Sequence, residues 1–162
     1  MTKENFKQLY DEYFDAIRRY LYYRSNDSEM ATDIAQEVFM KVWEKQISYE
    51  PNRTKSLLYK MAGDMFVSQV RKNKVADKYR DTINLEFNSD QGPDEKLEYE
   101  ELKQHYERTL AGLSEKQRTV FLMSRLEEMT YNEIAQRLEL SVKAVEKRMG
   151  LALSELRKAI KI

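Results

Sequence analysis

Residues 130–156, TYNEIAQRLELSVKAVEKRMGLALSEL, decide the fold of this chain, because they have the pattern of two short helices joined by a tight turn. Thr130 and Glu133 have the spacing of a capping box at the start of the first helix, and Ser141 offers an N-cap to the second. Ala135 is small enough for two helix backbones to cross closely. The second helix carries one apolar stripe that we expect to face inward, made of Val142, Val145, Met149, Ala152, Leu153 and Leu156.

The outer face of the second helix is polar and largely basic, as a helix in the major groove of DNA requires. Arg148 and Lys147 can reach guanine edges or phosphates, and Glu146 can accept from a cytosine amine. A helical hairpin with a solvated basic face has the same pattern and stays open as an alternative. Glu139 stands in the turn where a left-handed residue is needed, at a cost of about 1 kcal/mol. The predicted DNA-contacting residues are Ser141, Val142, Lys143, Ala144, Glu146, Lys147 and Arg148.

Three longer helices are predicted closer to the N-terminus, from apolar residues spaced three and four apart. Apolar stripes run from Phe6 to Leu21 and from Ala31 to Trp43. A loop is predicted at residues 49–52, because Pro51 disfavours the helical conformation in the residue before it. Thr54 is then predicted to cap the third helix.

Charge is distributed in blocks along the chain, although the net charge is zero. Residues 53–80 carry 8 basic and 2 acidic side chains, and residues 141–162 carry 6 and 2. Residues 81–107 carry 2 basic and 9 acidic side chains. Such segregation favours two phosphate-facing surfaces, although uneven solvated faces would look alike. We predict an all-α chain with three parts: a first domain at residues 1–80, an acidic linker at 81–107 and a helix-turn-helix domain at 108–162.

The composition argues against an enzyme, a metalloprotein or a membrane protein. There is no cysteine, and His105 is the single histidine, so Glu101 and His105 lack a further metal ligand. A glycine-rich phosphate loop is also missing, and no cofactor is expected. No apolar run could span a bilayer, and Met1–Phe6 lacks an apolar signal core. We therefore expect a cytoplasmic protein that does not insert into the membrane itself.

Two blocks of the sequence resemble the extracytoplasmic-function group of bacterial sigma-70-type sigma factors. DIAQEVFMKVW (33–43) with LYKMA (58–62) resembles the second region of that family. LSEKQRTVF (113–121), YNEIA (131–135) and SVKAVEKR (141–148) resemble its fourth region, in the family's order and spacing. The resemblance implies a sigma factor that directs RNA polymerase to promoters and initiates transcription, and that is not itself an enzyme.

The resemblance also implies partners and roles for named residues. The expected partners are core RNA polymerase, at its clamp and flap, promoter DNA, and an anti-sigma factor. The helix-turn-helix would read the minus-thirty-five element, and residues 47–56 would form part of a pocket for an unstacked minus-ten base. The clamp-binding residues would be Asp33, Gln36, Glu37, Met40 and Lys41. The residues that read and melt the minus-ten element would be Tyr59, Lys60, Asp64, Ser68, Arg71 and Lys72.

Several alternatives stay open at this point. Core packing is the alternative for Tyr59 and Phe66, and it is the preferred interpretation for Trp43. The acidic linker either threads near the polymerase cleft or acts as a disordered tether. Leu57, Asp64 and Glu139 stand where the family often has tryptophan, asparagine and glycine. Two other function classes are a helix-turn-helix regulator with a helical dimerisation domain, and a helical adaptor that binds only proteins.

Overall fold

The computed structural model describes residues 1–73 and 93–160, and these residues form seven helices. The all-α fold class is thereby confirmed, whereas the predicted linker residues 81–92 lie outside the described residues. The helices are α1 (Lys3–Ser25), α2 (Ser28–Glu44), α3 (Pro51–Lys72), α4 (Pro93–Gly112), α5 (Glu115–Arg125), α6 (Tyr131–Leu138) and α7 (Val142–Ile160).

The helices α1, α2 and α3 form what we call the first unit, residues 1–73. Thr2 caps α1 by accepting from the Asn5 N–H, and Asp27 caps α2 by accepting from the Met30 N–H. Asn26 between them is left-handed, with φ 52°, which gives the sharp turn from α1 to α2. The three helices enclose a core that includes Leu9, Ile17, Leu21, Ala35, Val38, Phe39, Leu58 and Ala62.

The start of α3 differs from the prediction. The helix begins at Pro51, so the expectation that Thr54 caps it was wrong. Proline is well suited to the first helical position, where its missing N–H would have no helical partner. The buried Thr54 hydroxyl instead accepts from the Glu50 N–H at 2.8 Å and donates to the Ser48 carbonyl at 3.2 Å. Thr54 therefore fixes the loop before α3 to the first turns of that helix.

The helices α4 to α7 form the second unit, residues 93–160. The capping box is complete at the start of α6, where Thr130 and Glu133 each accept from the other's backbone N–H. Glu139 ends α6 in the left-handed conformation that the sequence pattern requires, with φ 55° and ψ 47°. The core of this unit includes Leu110, Val120, Phe121, Ile134, Val145, Met149, Ala152 and Leu156.

The two units pack directly on each other, α1 against α5 and α3 against α6. Arg118 of α5 is at the centre of this contact and is 1% exposed. Its guanidinium donates to the carbonyls of Tyr23 (2.8 Å), Arg24 (2.7 Å) and Leu113 (3.2 Å). The first two carbonyls belong to the last turn of α1, where no intrahelical N–H is left to bind them. An arginine of the second unit thus caps a helix of the first.

Two ion pairs surround Arg118 at the contact between the units. Arg24 Nε lies 2.6 Å from Glu115 Oε1, and Arg19 Nε lies 2.9 Å from Glu127 Oε1. The Arg24 guanidinium also lies 4.5 Å from the centre of the Phe66 ring, which ties α3 to the same cluster. The two ion pairs therefore join the second unit to α1, and Arg24 in turn packs on α3.

Candidate nucleic-acid interface

The outer face of α7 forms a polar, exposed surface at the N-terminal end of the helix. Ser141 caps α7 by accepting from the Ala144 N–H at 3.1 Å, and the buried Val145 and Met149 fix the rotation of the helix. Of the predicted DNA-contacting residues, Ser141, Lys143, Glu146 and Lys147 are exposed, and Val142, Ala144 and Arg148 are half-buried. The structure therefore brings this whole set onto one end of α7.

This end of α7 suits an anionic ligand for two reasons. The first-turn N–H groups of a helix give it partial positive charge, and Lys143 and Lys147 add two full charges beside them. Glu146 interrupts the positive surface with one acceptor. A surface of this type can hold DNA phosphates and still offer donors and an acceptor to base edges.

The outer face of α3 carries a second exposed polar stripe. Lys60, Asp64, Ser68, Arg71 and Lys72 are all exposed and follow one another at helical spacing. Asp64, Ser68, Arg71 and Lys72 line one shallow depression on the surface, together with Val67. Five of the six predicted minus-ten residues therefore lie together on one side of α3.

Tyr59 differs from the other five because it is only 3% exposed. Its ring packs edge-on against Tyr20, with 5.1 Å between centroids, and the Arg137 guanidinium of α6 lies 5.2 Å from its centre. Burial is the main cause that raises the pKa of Tyr59 to about 12, with a smaller contribution from the Glu127 carboxylate. In this arrangement Tyr59 belongs to the core, the alternative that its sequence context left open.

The end of α6 contacts the part of the first unit that was predicted to hold a minus-ten base. Arg137 Nη1 donates to Ser56 Oγ at 3.5 Å, and Lys60 Nζ lies 3.4 Å from Glu139 Oε1. A cleft lies between the loop that precedes α3 and the end of α6, and its walls include Ile47, Ser48, Glu50, Arg53, Thr54, Ser56 and Gln136. The predicted base pocket thus faces the second unit.

The outer face of α2 presents Asp33, Gln36, Glu37 and Met40 to solvent. Lys41 is half-buried and lies 3.8 Å from Glu37 Oε1. Met40 is an apolar side chain that is 61% exposed. It adjoins an apolar groove between α1 and α2 that is lined by Phe6, Tyr10, Phe39 and Trp43. Trp43 is half-buried and packs edge-on against Phe6, so it supports the surface from one side.

Sequence reasoning did not identify the residues that join the two units. Arg118 has a weak signal in its favour, since it stands one helical turn before the buried Leu122, in a position where an apolar residue is expected. Arg24 and Glu115 have no such signal, because their contact spans 91 positions of the sequence.

The described residues offer neither a metal site nor a membrane-spanning helix. His105 Nε2 is paired with the carbonyl of Ala159 in the last turn of α7, so this ring contacts the backbone of another helix. In residues 1–73 and 93–160, no group of three or more histidine or acidic side chains is placed to hold a metal ion. Over the same stretches, no helix is long and apolar enough to cross a membrane.

Comparison with known proteins connects both surfaces to one family. The sequence profile of Sigma-70 region 2 matches residues 9–75, and that of Sigma-70 region 4 matches residues 103–156. The ferric citrate uptake sigma factor FecI of Escherichia coli is 28% identical over 149 residues, covering 91% of this chain and 86% of FecI. The ECF RNA polymerase sigma factor SigW of Bacillus subtilis is 27% identical over 170 residues, covering 98% and 90%.

The chain belongs to the extracytoplasmic-function sigma factors. This sigma factor is therefore a transcription initiation factor that acts with RNA polymerase at promoter DNA, as the resemblance implied. Because the chain belongs to this family, the two alternatives, a dimeric regulator and a protein-binding adaptor, are set aside. The domain limits at residues 80 and 107 and the roles of single residues stay predictions.

Solved structures share the fold of this sigma factor. The sigma factor RpoE of Bartonella quintana, in complex with the anti-sigma factor NepR, is 23% identical with a TM-score of 0.70, covering 98% of both chains. CnrH, in complex with the cytosolic domain of CnrY, is 22% identical with a TM-score of 0.63, covering 97% of this chain and 88% of CnrH. At these identities the likeness concerns the fold alone.

Proposed function

We propose that this sigma factor reads the minus-thirty-five element with α7 and the minus-ten element with α3, while the outer face of α2 binds the polymerase clamp. The observation that carries the proposal is the exposed, basic N-terminal face of α7, held in place by a buried stripe. A recognition helix needs this combination, because the buried side fixes the angle at which the exposed side meets the major groove.

In the proposed role of α7, some side chains contact phosphates and others contact bases. Lys143 and Lys147 extend freely from the exposed face, which suits phosphate contacts that position the helix. Arg148 is half-buried and therefore less mobile, which suits a directed contact with a guanine edge. Glu146 is the proposed acceptor for a cytosine amine.

The proposed role of α3 depends first on its exposed stripe from Lys60 to Lys72. Arg71 and Lys72 at its far end are the proposed phosphate contacts. Asp64 lies between cations and would repel a phosphate, so its proposed role is to accept from the exocyclic amine of an unpaired base. Tyr59 takes part only after α6 has moved away, because a base cannot stack on a ring that is 3% exposed.

The proposed role of α2 rests on the kinds of side chain that its outer face exposes. Asp33, Gln36 and Glu37 are exposed polar groups beside Met40, an exposed apolar side chain. An apolar centre with a charged surround is typical of a protein-binding surface. We place the polymerase clamp on this face, and the polymerase flap on the second unit.

Regulation and location are also proposals. The two solved relatives named above are complexes with an anti-sigma factor and with the cytosolic domain of CnrY, and this supports an anti-sigma factor as a partner of this chain. We further propose that the chain acts in the cytoplasm and catalyses no reaction itself, since polymerase supplies the chemistry of RNA synthesis.

Transcription in vitro tests the proposal. Core RNA polymerase, a genomic promoter library and the purified chain should give transcripts with defined start sites. Arg148→Ala should reduce promoter-dependent transcription by about tenfold or more, since a good base contact contributes about 1–3 kcal/mol. Arg108→Ala is the control, because Arg108 is an exposed arginine of α4 that is not among the proposed DNA-contacting residues. Unchanged transcription by Arg148→Ala would remove α7 from the promoter contact.

A binding assay with core polymerase tests the proposed role of α2. Reversing the charges of Asp33 and Glu37 to lysine should weaken retention of the chain by immobilised core polymerase at least tenfold. Asp11 and Asp15 of α1 give a matched control, since they are also exposed and also four residues apart. Equal losses in both double variants would indicate a general charge effect and no specific contact through α2.

A further inference from the structure

Glu139 has a backbone conformation that does not suit its side chain. It adopts φ 55° and ψ 47° in the turn between α6 and α7, where glycine would be free of strain. The packing of the second unit does not account for a glutamate here, because the side chain is 65% exposed and points to the first unit. Its carboxylate lies 3.4 Å from the ammonium of Lys60, the first residue of the exposed stripe on α3.

Arg137, two residues earlier, covers the neighbouring position of α3. Its guanidinium lies 5.2 Å from the centre of the Tyr59 ring, on which an unstacked base could otherwise rest. It also donates to Ser56 Oγ at 3.5 Å, at the edge of the predicted base pocket. Together, Arg137 and Glu139 occupy the N-terminal half of the DNA-contacting side of α3.

The two contacts have the chemistry of the contacts that α3 would make with single-stranded DNA. A carboxylate on Lys60 resembles a backbone phosphate, and a planar guanidinium over Tyr59 resembles a stacked base. We infer that residues 137–139 of the second unit are an intramolecular competitor for minus-ten DNA. The inference rests on the proposed role of α3.

The contact between Glu139 and Lys60 is weak enough for DNA to displace it. Lys60 and Glu139 are 55% and 65% exposed, and an ion pair in such surroundings is weak and is screened by salt. Other charges at the cleft are occupied locally, since Arg53 lies 3.4 Å from Glu50 on its own helix turn. Glu139 therefore provides the one carboxylate that reaches Lys60 among the described residues. Separation of the units on polymerase would free Lys60 and Tyr59 together.

The sequence offers a matched control for Glu139. Glu128 also adopts the left-handed conformation, with φ 54°, and is also an exposed glutamate in a turn of the second unit. Within the described residues it takes part in no ion pair. Replacing either glutamate by glycine removes one negative charge and relieves the same backbone strain, but only Glu139→Gly removes the group on Lys60.

The experiment measures how the free, full-length chain binds a fluorescently labelled, random-sequence single-stranded DNA at low salt. Glu139→Gly and Glu139→Gln should each bind about three- to fivefold more tightly than the wild type, as expected from loss of an exposed ion pair. Glu128→Gly should stay within about 1.5-fold of the wild type. The gain at Glu139 should fade as salt is raised, because the competing pair is screened.

Two results would overturn the inference. Equal gains for Glu139→Gly and Glu128→Gly would show a general effect of net charge, and no gain in any variant would show that Glu139 does not compete. Transcription with core polymerase separates either result from failure of the proposed function. Lys60→Ala should reduce transcription if α3 contacts DNA, whether or not Glu139 competes. Glu139→Gly should transcribe like the wild type, because its effect is confined to the free chain.

Discussion

The sides of α3 and α7 that we propose to face DNA carry similar chemistry but differ in how accessible they are. On α7 every predicted contact is exposed or half-buried, and none of the helices in residues 1–73 and 93–160 buries that face. On α3 the residues Asp64, Ser68, Arg71 and Lys72 are exposed. Tyr59, in contrast, is covered by Arg137 of α6, and Lys60 is paired with Glu139 in the turn after α6. Duplex DNA can therefore reach α7 in this arrangement, but a flipped base cannot stack on the buried Tyr59 ring of α3.

The difference has a physical cause in what each helix must bind. A recognition helix reads duplex DNA without opening it, so its surface can stay permanently exposed. A surface that holds unstacked bases needs aromatic or apolar groups, which are costly to leave in water. Packing α6 onto Tyr59 removes that cost in the free chain. It also means that the minus-ten contact proposed for Tyr59 would require the two units to separate.

The largest expected effect comes from the arginine at the centre of the contact. Arg118→Ala leaves three carbonyls without their side-chain donor and removes a buried cation, so we expect a loss of about 3 kcal/mol or more in unfolding free energy. Urea unfolding followed by circular dichroism measures it. Arg148→Ala on the open face of α7 should change stability by less than about 0.5 kcal/mol.

The shape of that unfolding curve sharpens the comparison between the helices. If the units support each other through Arg118, the wild type should unfold in one transition and Arg118→Ala in two. Arg118→Met keeps the apolar volume of the side chain, so its stability should fall between those of the wild type and Arg118→Ala. A wild-type stability in Arg118→Ala would mean that the units do not rest on each other in solution, and that α3 is as open as α7.

The second effect is a pH dependence of stability, which reports whether Tyr59 of α3 is buried beneath the second unit. The raised pKa of Tyr59 means that folding favours the neutral phenol, so this stabilisation is complete below pH 10 and is lost as the pH rises towards 12. The shift corresponds to about 2 kcal/mol at pH 12. Ultraviolet titration of the wild type and of Tyr59→Phe isolates this phenol by difference. Ionisation near pH 10 would show that α3 is uncovered.

The helix-turn-helix could be predicted residue by residue because its signals are local. The capping box at Thr130, the left-handed residue at Glu139 and the N-cap at Ser141 each depend on neighbours within four positions. The start of α3 was placed wrongly, because Pro51 satisfies both a loop signal and a first-turn signal. Local pattern alone could not choose between them.

The contact between the units could not be predicted, because it depends on pairs far apart in sequence. Arg118 binds carbonyls 95 and 94 positions away, and backbone acceptors leave no trace in residue type. The contact also places Arg137 over the Tyr59 ring, which adds to the burial of Tyr59 by Tyr20 within the first unit. The sequence therefore predicted which residues line α3, but it could not predict which of them solvent reaches.

The smallest expected effects come from one glycine on each helix. A methyl group on Gly63 of α3 would lie 3.2 Å from both Arg24 Nη1 and Tyr20 Oη, whereas one on Gly150 of α7 would meet nothing within 4 Å. Neither glycine has positive φ, so alanine is compatible with both backbones. Gly150→Ala should stabilise the chain by up to about 1 kcal/mol through helix propensity alone.

Gly63→Ala should lose that gain and destabilise the chain by about 1 kcal/mol. The new methyl group has to push aside Arg24, which is held by Glu115 and lies over Phe66. Thermal unfolding of both variants gives the comparison directly, with opposite shifts in melting temperature expected. An equal rise in both would mean that Arg24 can leave Gly63 at no cost. The packing of α1 on α3 around Gly63 would then adapt to a methyl group as readily as the open surroundings of Gly150 on α7 do.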